Sequence, residues 1–219
     1  MGQSWAQAVD QGIGSRADSE TIASMSDADK NKWESRYAEG GYLTRTHPTQ
    51  MLDEWLARLP RGRALDLACG AGRNALHLAL AGFDVDAMDI SSVALERARG
   101  RADELGVDIN WINVDLDDAE LCPDRYDLVV VARYVNRALT GALVNCIRDG
   151  GYLLYEQHLR THREVDGPRS RDFRLAPNEL LKMFTALRVL YYREELATDP
   201  DGRTMALAQL VACKGSPGF

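Results

Sequence analysis

The sequence is poor in cysteine, and its four cysteines are Cys69, Cys122, Cys146 and Cys213. They form no C-x-x-C pair, and no cluster of cysteine and histidine has the spacing of a zinc site. His158 and His162 have the i, i+4 spacing of metal ligands on a helix, but no third ligand accompanies them. We therefore expect no metal site, and reduced, mostly buried thiols that are typical of a cytoplasmic protein.

The sequence also lacks the features of membrane proteins and of nucleic-acid-binding proteins. No apolar run approaches the roughly 18 residues that a membrane helix needs, and the polar N-terminus has no apolar core of the signal-peptide type. The net charge is −7, so the surface repels phosphate backbones, and nucleic acid is not an expected partner. The sequence is compatible with a monomer or a homodimer. We expect a small molecule, not a membrane or a nucleic acid, as its partner.

What the chain does contain is an alternation of helix-like and strand-like segments. Two helical patterns occupy residues 26–62, the first with Ser26 as its cap, and the polar residues 1–25 are expected to be flexible. In residues 63–215 short apolar runs alternate with helical patterns, one of them over residues 138–151. This alternation predicts an α/β core with a mainly parallel sheet. The last two strands are joined by the turn "DPDG", so they should form an antiparallel hairpin.

The stretch "ALDLACGAGRNALHLA" carries the main functional signal. Gly70 and Gly72 stand between a strand and a helix, where glycine permits a tight turn and a close approach of a ligand to the backbone. Asp89 ends the next strand, 19 residues after Gly70, and a carboxylate there can accept both hydroxyls of a ribose. This pattern is common to NAD sites and S-adenosylmethionine sites. The alternative without function is a tight turn followed by a solvated strand end.

Three features favour S-adenosylmethionine over a dinucleotide. Asp66 lies within the first strand, and Arg73 and Asn74 open the helix, where a pyrophosphate would require free N–H groups. Asp115 follows the third strand, where its carboxylate can accept the exocyclic amine of adenine. A pocket with three acids suits a ligand that carries an amino group and a sulfonium but no phosphate. An NAD(P)-dependent oxidoreductase remains the alternative.

Several motifs resemble those of the class I S-adenosylmethionine-dependent methyltransferases. These motifs are "LDLACGAGRNALHLA", "DAMDIS" and "INVDLDD", and the resemblance extends over residues 33–213. The piece D-L-x-C-G-x-G-R-N is similar to the small-molecule branch that includes tellurite-resistance and thiopurine-type methyltransferases, and "WESRYAEGGY" is similar to the lid of that branch. Ala68 departs from the family, which commonly has a glycine there. The resemblance implies a Rossmann-like, doubly wound seven-stranded sheet with helices on both faces, in the order 3-2-1-4-5-7-6, with the last strand antiparallel.

The resemblance also implies roles for individual residues. The residues that it assigns to S-adenosylmethionine are Asp66, Ala68, Cys69, Gly70, Gly72, Asn74, Asp89, Ile90, Asp115, Leu116 and Ala132. The candidates for acceptor binding are Trp33, Tyr37, Tyr42, Arg133, Arg169, Arg171 and Arg174. Tyr134 and His158 are the candidate catalytic residues, and Asn136 is a further acceptor-side candidate. Each has a structural alternative, such as a capping role for Asp66 or a strand-end role for Tyr134.

The chemistry that the resemblance implies is an in-line displacement at an activated methyl group, which depends mainly on positioning and exclusion of water. A thiolate acceptor needs no base, whereas a hydroxyl acceptor would need one such as Tyr134 or His158. The arginines within residues 156–180 favour an anionic or oxyanion acceptor, unless they form a solvated charged segment. A non-catalytic module that binds S-adenosylmethionine is the other alternative to a methyltransferase.

Overall fold

One mixed sheet organises the chain in the computed structural model, which describes residues 17–217 and the side chains from residue 27 onward. Within these residues seven strands run in the order β3-β2-β1-β4-β5-β7-β6. The strands are β1 (Arg63–Leu67), β2 (Asp84–Asp89), β3 (Asn110–Asn113), β4 (Tyr126–Ala132), β5 (Ile147–His158), β6 (Arg188–Thr198) and β7 (Thr204–Cys213). Neighbours from β3 to β5 are parallel, and β7 is antiparallel to both β5 and β6. The predicted fold class and strand order are confirmed.

Helices cover both faces of the sheet. They are α1 (Ala17–Ala38), α2 (Gln50–Leu56), α3 (Arg73–Leu80), α4 (Ser92–Leu105), α5 (Thr140–Cys146) and α6 (Glu179–Met183). Residues on alternate sides of each strand enter two separate hydrophobic clusters, one on each face, as the pleat of a strand requires. In β4 the four residues Leu128 to Val131 are all buried, because this strand is central and covered on both faces.

Two helix boundaries differ from those predicted. The helix predicted over residues 138–151 ends at Cys146, and β5 begins at Ile147, which is fully buried and pairs with Tyr126. The ladder then skips to Tyr152 through a bulge in which Gly150 has a φ of 78°, so the two glycines serve the strand and not a helix end. Helix α1 begins at Ala17, before the predicted cap. The first 16 residues of the predicted flexible segment lie outside the described residues.

The topology sets where a ligand can bind. Strand order reverses between β1 and β4, and the crevice outside the carboxyl ends of such strands is the usual ligand site of doubly wound sheets. None of the helices in residues 17–217 combines the length and apolar character needed to span a membrane. The cytoplasmic location and the oligomeric state stay predictions.

Candidate functional site

A cavity of about 1150 Å³ lies at the carboxyl ends of β1, β2 and β4. The segments that line it are the loop after β1, the residues after β2, β3 and β4, helix α1 and the chain that follows α1. Pockets for one small ligand usually have about 300–1,000 Å³. This cavity is therefore large enough for a donor and an acceptor together.

The loop after β1 is held in an unusual backbone conformation. Ala68, Gly70 and Gly72 have φ values of 57°, 55° and 78°, in the left-handed region. Asp89 fixes the loop, because its Oδ2 accepts a hydrogen bond from the Gly70 N–H at 2.7 Å and its Oδ1 accepts one from Ser91 N–H at 2.9 Å. Burial raises the pKa of Asp89. Its carboxylate joins the end of β2 to the loop, and Asp89 itself lines the cavity.

Two of the residues predicted to bind the donor, Asp66 and Gly72, are not part of the cavity lining. Asp66 is 1% exposed, and its Oδ2 accepts a hydrogen bond from Ala75 N–H at 2.9 Å, so the side chain caps the start of α3. Burial raises the pKa of Asp66 to about 7. Gly72 is required for packing, since a Cβ there would lie 2.6 Å from the ring of Trp111. Of the two interpretations of Asp66, the capping role agrees with this hydrogen bond.

The other predicted donor residues do line the cavity. They are Ala68, Cys69, Gly70, Asn74, Asp89, Ile90, Asp115, Leu116 and Ala132. The segment after β3 adds two acids that the sequence analysis missed, Asp117 and Asp118. Burial, together with the carboxylates of Asp115 and Asp118, raises the pKa of Asp117. Asn136 also lines the cavity and donates a hydrogen bond to Asp117 Oδ1 at 2.7 Å, so it connects the segments after β4 and β3.

Aromatic side chains from α1 and the chain after it form one wall of the cavity. Trp33, Tyr37 and Tyr42 all line it, with ring centroids 6.4 Å apart for the first pair and 5.6 Å apart for the second. The hydroxyl of Tyr37 lies directly against Gly70, where a Cβ would collide with it. Phe173, from the segment before α6, is a further aromatic residue of the lining. This wall covers the glycine loop.

Hydrogen bonds join the aromatic wall to helix α4 of the core. Glu34 of α1 accepts hydrogen bonds from Ser92 N–H at 2.9 Å and from Val93 N–H at 3.1 Å, at the start of α4. Arg97 of α4 donates to the backbone carbonyls of Tyr37 and Gly41. The Glu34 carboxylate thus occupies the N-terminus of α4, where a negative charge is stabilised. These bonds set the position of the aromatic wall over the cavity.

Three arginines, Arg45, Arg73 and Arg133, also line the cavity, and we call the part of the cavity that they line the arginine end. Arg133 follows β4 with a φ of 63°, and its guanidinium lies 2.8 Å from Glu156 Oε1 and 3.3 Å from Asp199 Oδ1. Its side chain is only 9% exposed, and Gln209 Nε2 donates to the other oxygen of Glu156 at 2.7 Å. Arg133 lines the cavity as predicted, but its charge is already shared with two buried carboxylates.

Two more arginines at this end each have a buried nitrogen without a hydrogen-bond acceptor among the described residues. These nitrogens are Nη1 of Arg73 and Nε of Arg45. Burial, with Arg133 nearby, lowers the pKa of Arg73. Neither arginine was predicted to contact a ligand. Arg73 had a signal, its position at the start of the helix, whereas nothing in the sequence around Arg45 marks it.

Of the two predicted catalytic residues, Tyr134 lines the cavity and His158 does not. Burial raises the pKa of Tyr134 to about 12, so its hydroxyl is protonated at neutral pH. His158 is buried beneath Gly167, and burial together with Arg133 and Arg174 lowers its pKa to about 3. The expectation of His158 as a base at the site is therefore corrected. The described residues contain no group of three histidine, cysteine or acidic side chains that could hold a metal.

The predicted acceptor arginines of the long loop are also absent from the cavity lining. Arg169 and Arg171 are exposed, away from the cavity. Arg174 is used within the loop, where it donates to the carbonyl oxygens of Pro168 at 2.6 Å and Leu159 at 3.0 Å. The charged segment thus serves its own loop, and the cavity receives its positive charge from elsewhere.

Comparison with known proteins adds a family to this geometry. The family described as "Methyltransferase domain" matches residues 64–151. A protein of Haemophilus influenzae named "Probable S-adenosyl-L-methionine-dependent methyltransferase TehB" is 28% identical over 165 residues, which are 69% of this chain and 57% of that protein. Hemagglutinin 1 of Eikenella corrodens is 29% identical over 189 residues, 80% of this chain and 61% of that protein. The chain spans less than two thirds of the length of these curated relatives.

The crystal structure of TehB from Haemophilus influenzae is also similar. It matches with a TM-score of 0.66 and 26% identity, over 83% of this chain and 67% of that one. The matched segment of the sequence family contains the glycine loop, Asp89 and Asp115, all of which meet at the cavity. Residues 64–151 therefore match a methyltransferase domain, and the similarities indicate a class I S-adenosylmethionine-dependent methyltransferase of the TehB-like branch, a family whose cofactor is S-adenosylmethionine.

Proposed function

We propose that this chain transfers a methyl group from S-adenosylmethionine to a small-molecule acceptor. The observation that carries the proposal is the hydrogen bond from Ala75 N–H to Asp66, which fills the start of α3 with a protein carboxylate. The pyrophosphate of a dinucleotide would require that helix N-terminus to be free. Asp89 and Asp115 supply acceptors for the ribose hydroxyls and the adenine amine that both ligands carry, so it is the carboxylate at the start of α3 that favours S-adenosylmethionine over NAD.

In this proposal the adenosine part of the donor lies against Asp89, Ile90, Asp115 and Leu116. The methionine part lies along the loop from Ala68. Its carboxylate accepts a hydrogen bond from Nη1 of Arg73, which has no acceptor among the described residues. The sulfonium of the bound donor supplies a methyl group that is already activated. The chain has only to orient the two molecules and exclude water, for which the aromatic wall over the loop is suited. We propose residues 26–62 as a lid and residues 63–215 as the core.

Tyr134 acts in this proposal as a positioning group at the methyl end. Its hydroxyl stays protonated because its pKa is about 12, so it donates a hydrogen bond to the acceptor and does not remove a proton. An acceptor that is anionic or otherwise needs no base, such as a thiolate, suits this arrangement.

Ligand binding and turnover test the proposal separately. Calorimetry should show binding of S-adenosylhomocysteine and none of NAD⁺, and the reverse result would establish an oxidoreductase site instead. A screen of thiols, oxyanions and small carboxylates, read out as formation of S-adenosylhomocysteine, should identify at least one acceptor. Binding without turnover across the whole screen would favour the non-catalytic module. The Arg171→Gln variant, altered at an exposed loop position, is the matched control and should behave like the unmodified chain.

A further inference from the structure

We propose that Arg45 anchors the carboxylate of an organic acceptor that has an aromatic or apolar body. The proposal rests on the proposed function, because it names the class of acceptor for the same cavity. It starts from Nε of Arg45, which is buried and has no hydrogen-bond acceptor in the described part of the chain. The whole side chain is 17% exposed and lines the cavity. A buried donor without a partner is unfavourable, so a ligand oxygen at Nε would be stabilising.

The neighbours of Arg45 hold its guanidinium in place by a cation–π contact and an ion pair, but they accept no hydrogen bond from its Nε. Its guanidinium lies 4.4 Å from the centroid of the Tyr42 ring, in a cation–π arrangement that holds the planar group against the aromatic wall. Asp201, in the turn between β6 and β7, is 3.7 Å from Nε, which is too long for a hydrogen bond. Asp201 is bonded instead to Arg203, whose Nε donates to it at 2.9 Å. Arg45 is therefore positioned and still able to bind an anion.

The net charge of the side chains at the arginine end favours an anionic group on each of the two ligands. Four arginines, Arg45, Arg73, Arg133 and Arg203, face three carboxylates, those of Glu156, Asp199 and Asp201. The carboxylate of the donor would neutralise the arginine that remains, while its amino group and sulfonium add two positive charges. A carboxylate on the acceptor would offset one of these two charges. A guanidinium binds a carboxylate through parallel hydrogen bonds, so Arg45 suits this group.

The aromatic wall decides between an organic and an inorganic anion. Trp33, Tyr37, Tyr42 and Phe173 all line the cavity, and the Tyr42 ring lies against Arg45. An inorganic oxyanion has no apolar surface with which to cover these rings. An aromatic or alkyl body would remove these rings from water and gain the free energy of apolar burial. The volume of about 1150 Å³ leaves space for such a body beside the donor.

The experiment compares acids with their uncharged amides on the full chain saturated with S-adenosylhomocysteine. The probe pairs are benzoate and benzamide, phenylacetate and phenylacetamide, indole-3-acetate and indole-3-acetamide, and hexanoate and hexanamide, with inorganic phosphate and sulfate as further probes. We expect at least one acid to bind 10-fold or more tightly than its amide, because a hydrogen bond to a charged group is lost in the amide. We expect Arg45→Gln to abolish that preference and to leave the affinity for S-adenosylhomocysteine unchanged.

Two further variants keep the test decisive. Arg45→Lys keeps the charge but not the planar fork, so it should weaken binding of the acid several-fold and leave the amide unaffected. Arg171→Gln, at an exposed position outside the cavity, should change neither. The proposal is overturned if no acid binds better than its amide, if the preference survives in Arg45→Gln, or if phosphate and sulfate bind as tightly as the acids. Failure of S-adenosylhomocysteine to bind would instead refute the proposed function.

Discussion

The two ends of the cavity are built from the chain in opposite ways. At the glycine-loop end, a segment of the chain from Asp66 to Ser91 supplies the loop, its cap and the carboxylate that holds it. At the arginine end, only Arg73 comes from that segment, and the other side chains, Arg45, Arg133, Glu156 and Asp199, come from four separate parts of the sequence. The first end is a local motif, and the second depends on the completed fold.

This difference has a consequence for how the two ligands are selected. In the proposed function, backbone groups and short-range hydrogen bonds recognise the donor, and these tolerate little change. In the same proposal, side chains at loop and turn positions recognise the acceptor, and these can be exchanged without altering the sheet. A common donor and a variable acceptor are what such an architecture supports.

The largest effect is expected from breaking the ion pair at the arginine end. Glu156→Gln removes the charge that faces Arg133 at 2.8 Å, although Asp199 still faces the same guanidinium at 3.3 Å. Because both partners are buried, we expect the free energy of unfolding to fall by about 3–5 kcal/mol. Urea unfolding followed by circular dichroism measures it.

The matched control for this variant is an exposed pair of the same kind. Glu195→Gln removes the partner of Arg193 on β6, where the arginine side chain is 58% exposed. Water screens that pair, so its loss should cost less than about 1 kcal/mol. Equal effects of the two substitutions would mean that the buried cluster adds nothing particular to stability.

The comparison also explains what could be predicted from the sequence. The meeting of Gly70 and Asp89 at the cavity follows from a strand, a turn and a strand end that are near one another in the chain, so periodicity and spacing are sufficient to predict it. The strand order followed from the resemblance, and the hairpin from its short turn. Asp66 was harder, since its position in β1 does not reveal that the carboxylate points back to α3 and not into the cavity.

The arginine end could not be predicted, because no local pattern connects its members. The arginine-rich loop had the stronger signal in the sequence, yet Arg174 bonds to carbonyl oxygens of its own loop and Arg171 is exposed. Arg45 has no motif around it and reaches the cavity only through tertiary structure, and Asp199 reaches Arg133 in the same way. Apart from Arg133, side-chain chemistry alone therefore pointed to arginines that lie outside the cavity lining.

A pH-dependent effect is expected at Asp66, which is buried behind the glycine-loop end and outside the cavity lining. Its pKa rises from 3.8 to about 7 on burial, so between these pH values the folded chain keeps a proton that the unfolded chain releases. The stability that this proton provides is complete below about pH 4 and is lost as the pH rises to about 7. Asp66→Asn removes this loss and still offers an oxygen to Ala75 N–H.

Unfolding free energies of both proteins at pH 5, 6, 7 and 8 test this expectation. The difference between the unfolding free energy of the variant and that of the unmodified chain should increase by as much as about 1.4 kcal/mol per pH unit up to pH 7. Above pH 7 the difference should stay constant. Parallel curves for the two proteins would show that Asp66 titrates normally.

A smaller effect, on binding, is expected at the glycine-loop end. Asp89→Ala removes the proposed acceptor for the ribose and leaves Gly70 N–H and Ser91 N–H without their partner. We expect calorimetry to show that the affinity for S-adenosylhomocysteine falls by about 1–3 kcal/mol. Asp118→Ala, at an exposed acid of the same cavity, should change the affinity less. An unchanged affinity in Asp89→Ala would remove Asp89 from the binding site.

The smallest effect is expected at Ala68, and its sign is opposite. With a φ of 57°, this alanine occupies the left-handed region, which costs an L-residue about 1–2 kcal/mol. Ala68→Gly relieves that strain but adds freedom to the unfolded chain, so a net gain of about 0.5–1 kcal/mol in unfolding free energy is expected. Ala71 lies in the same loop but has no positive φ, so Ala71→Gly relieves no strain and only adds conformational freedom to the unfolded chain. This variant should be destabilised by a similar amount. A stabilised Ala68→Gly with unchanged affinity for S-adenosylhomocysteine would mean that the glycine-loop end tolerates strain without loss of binding. A fall in affinity would mean that the strained alanine itself shapes the site.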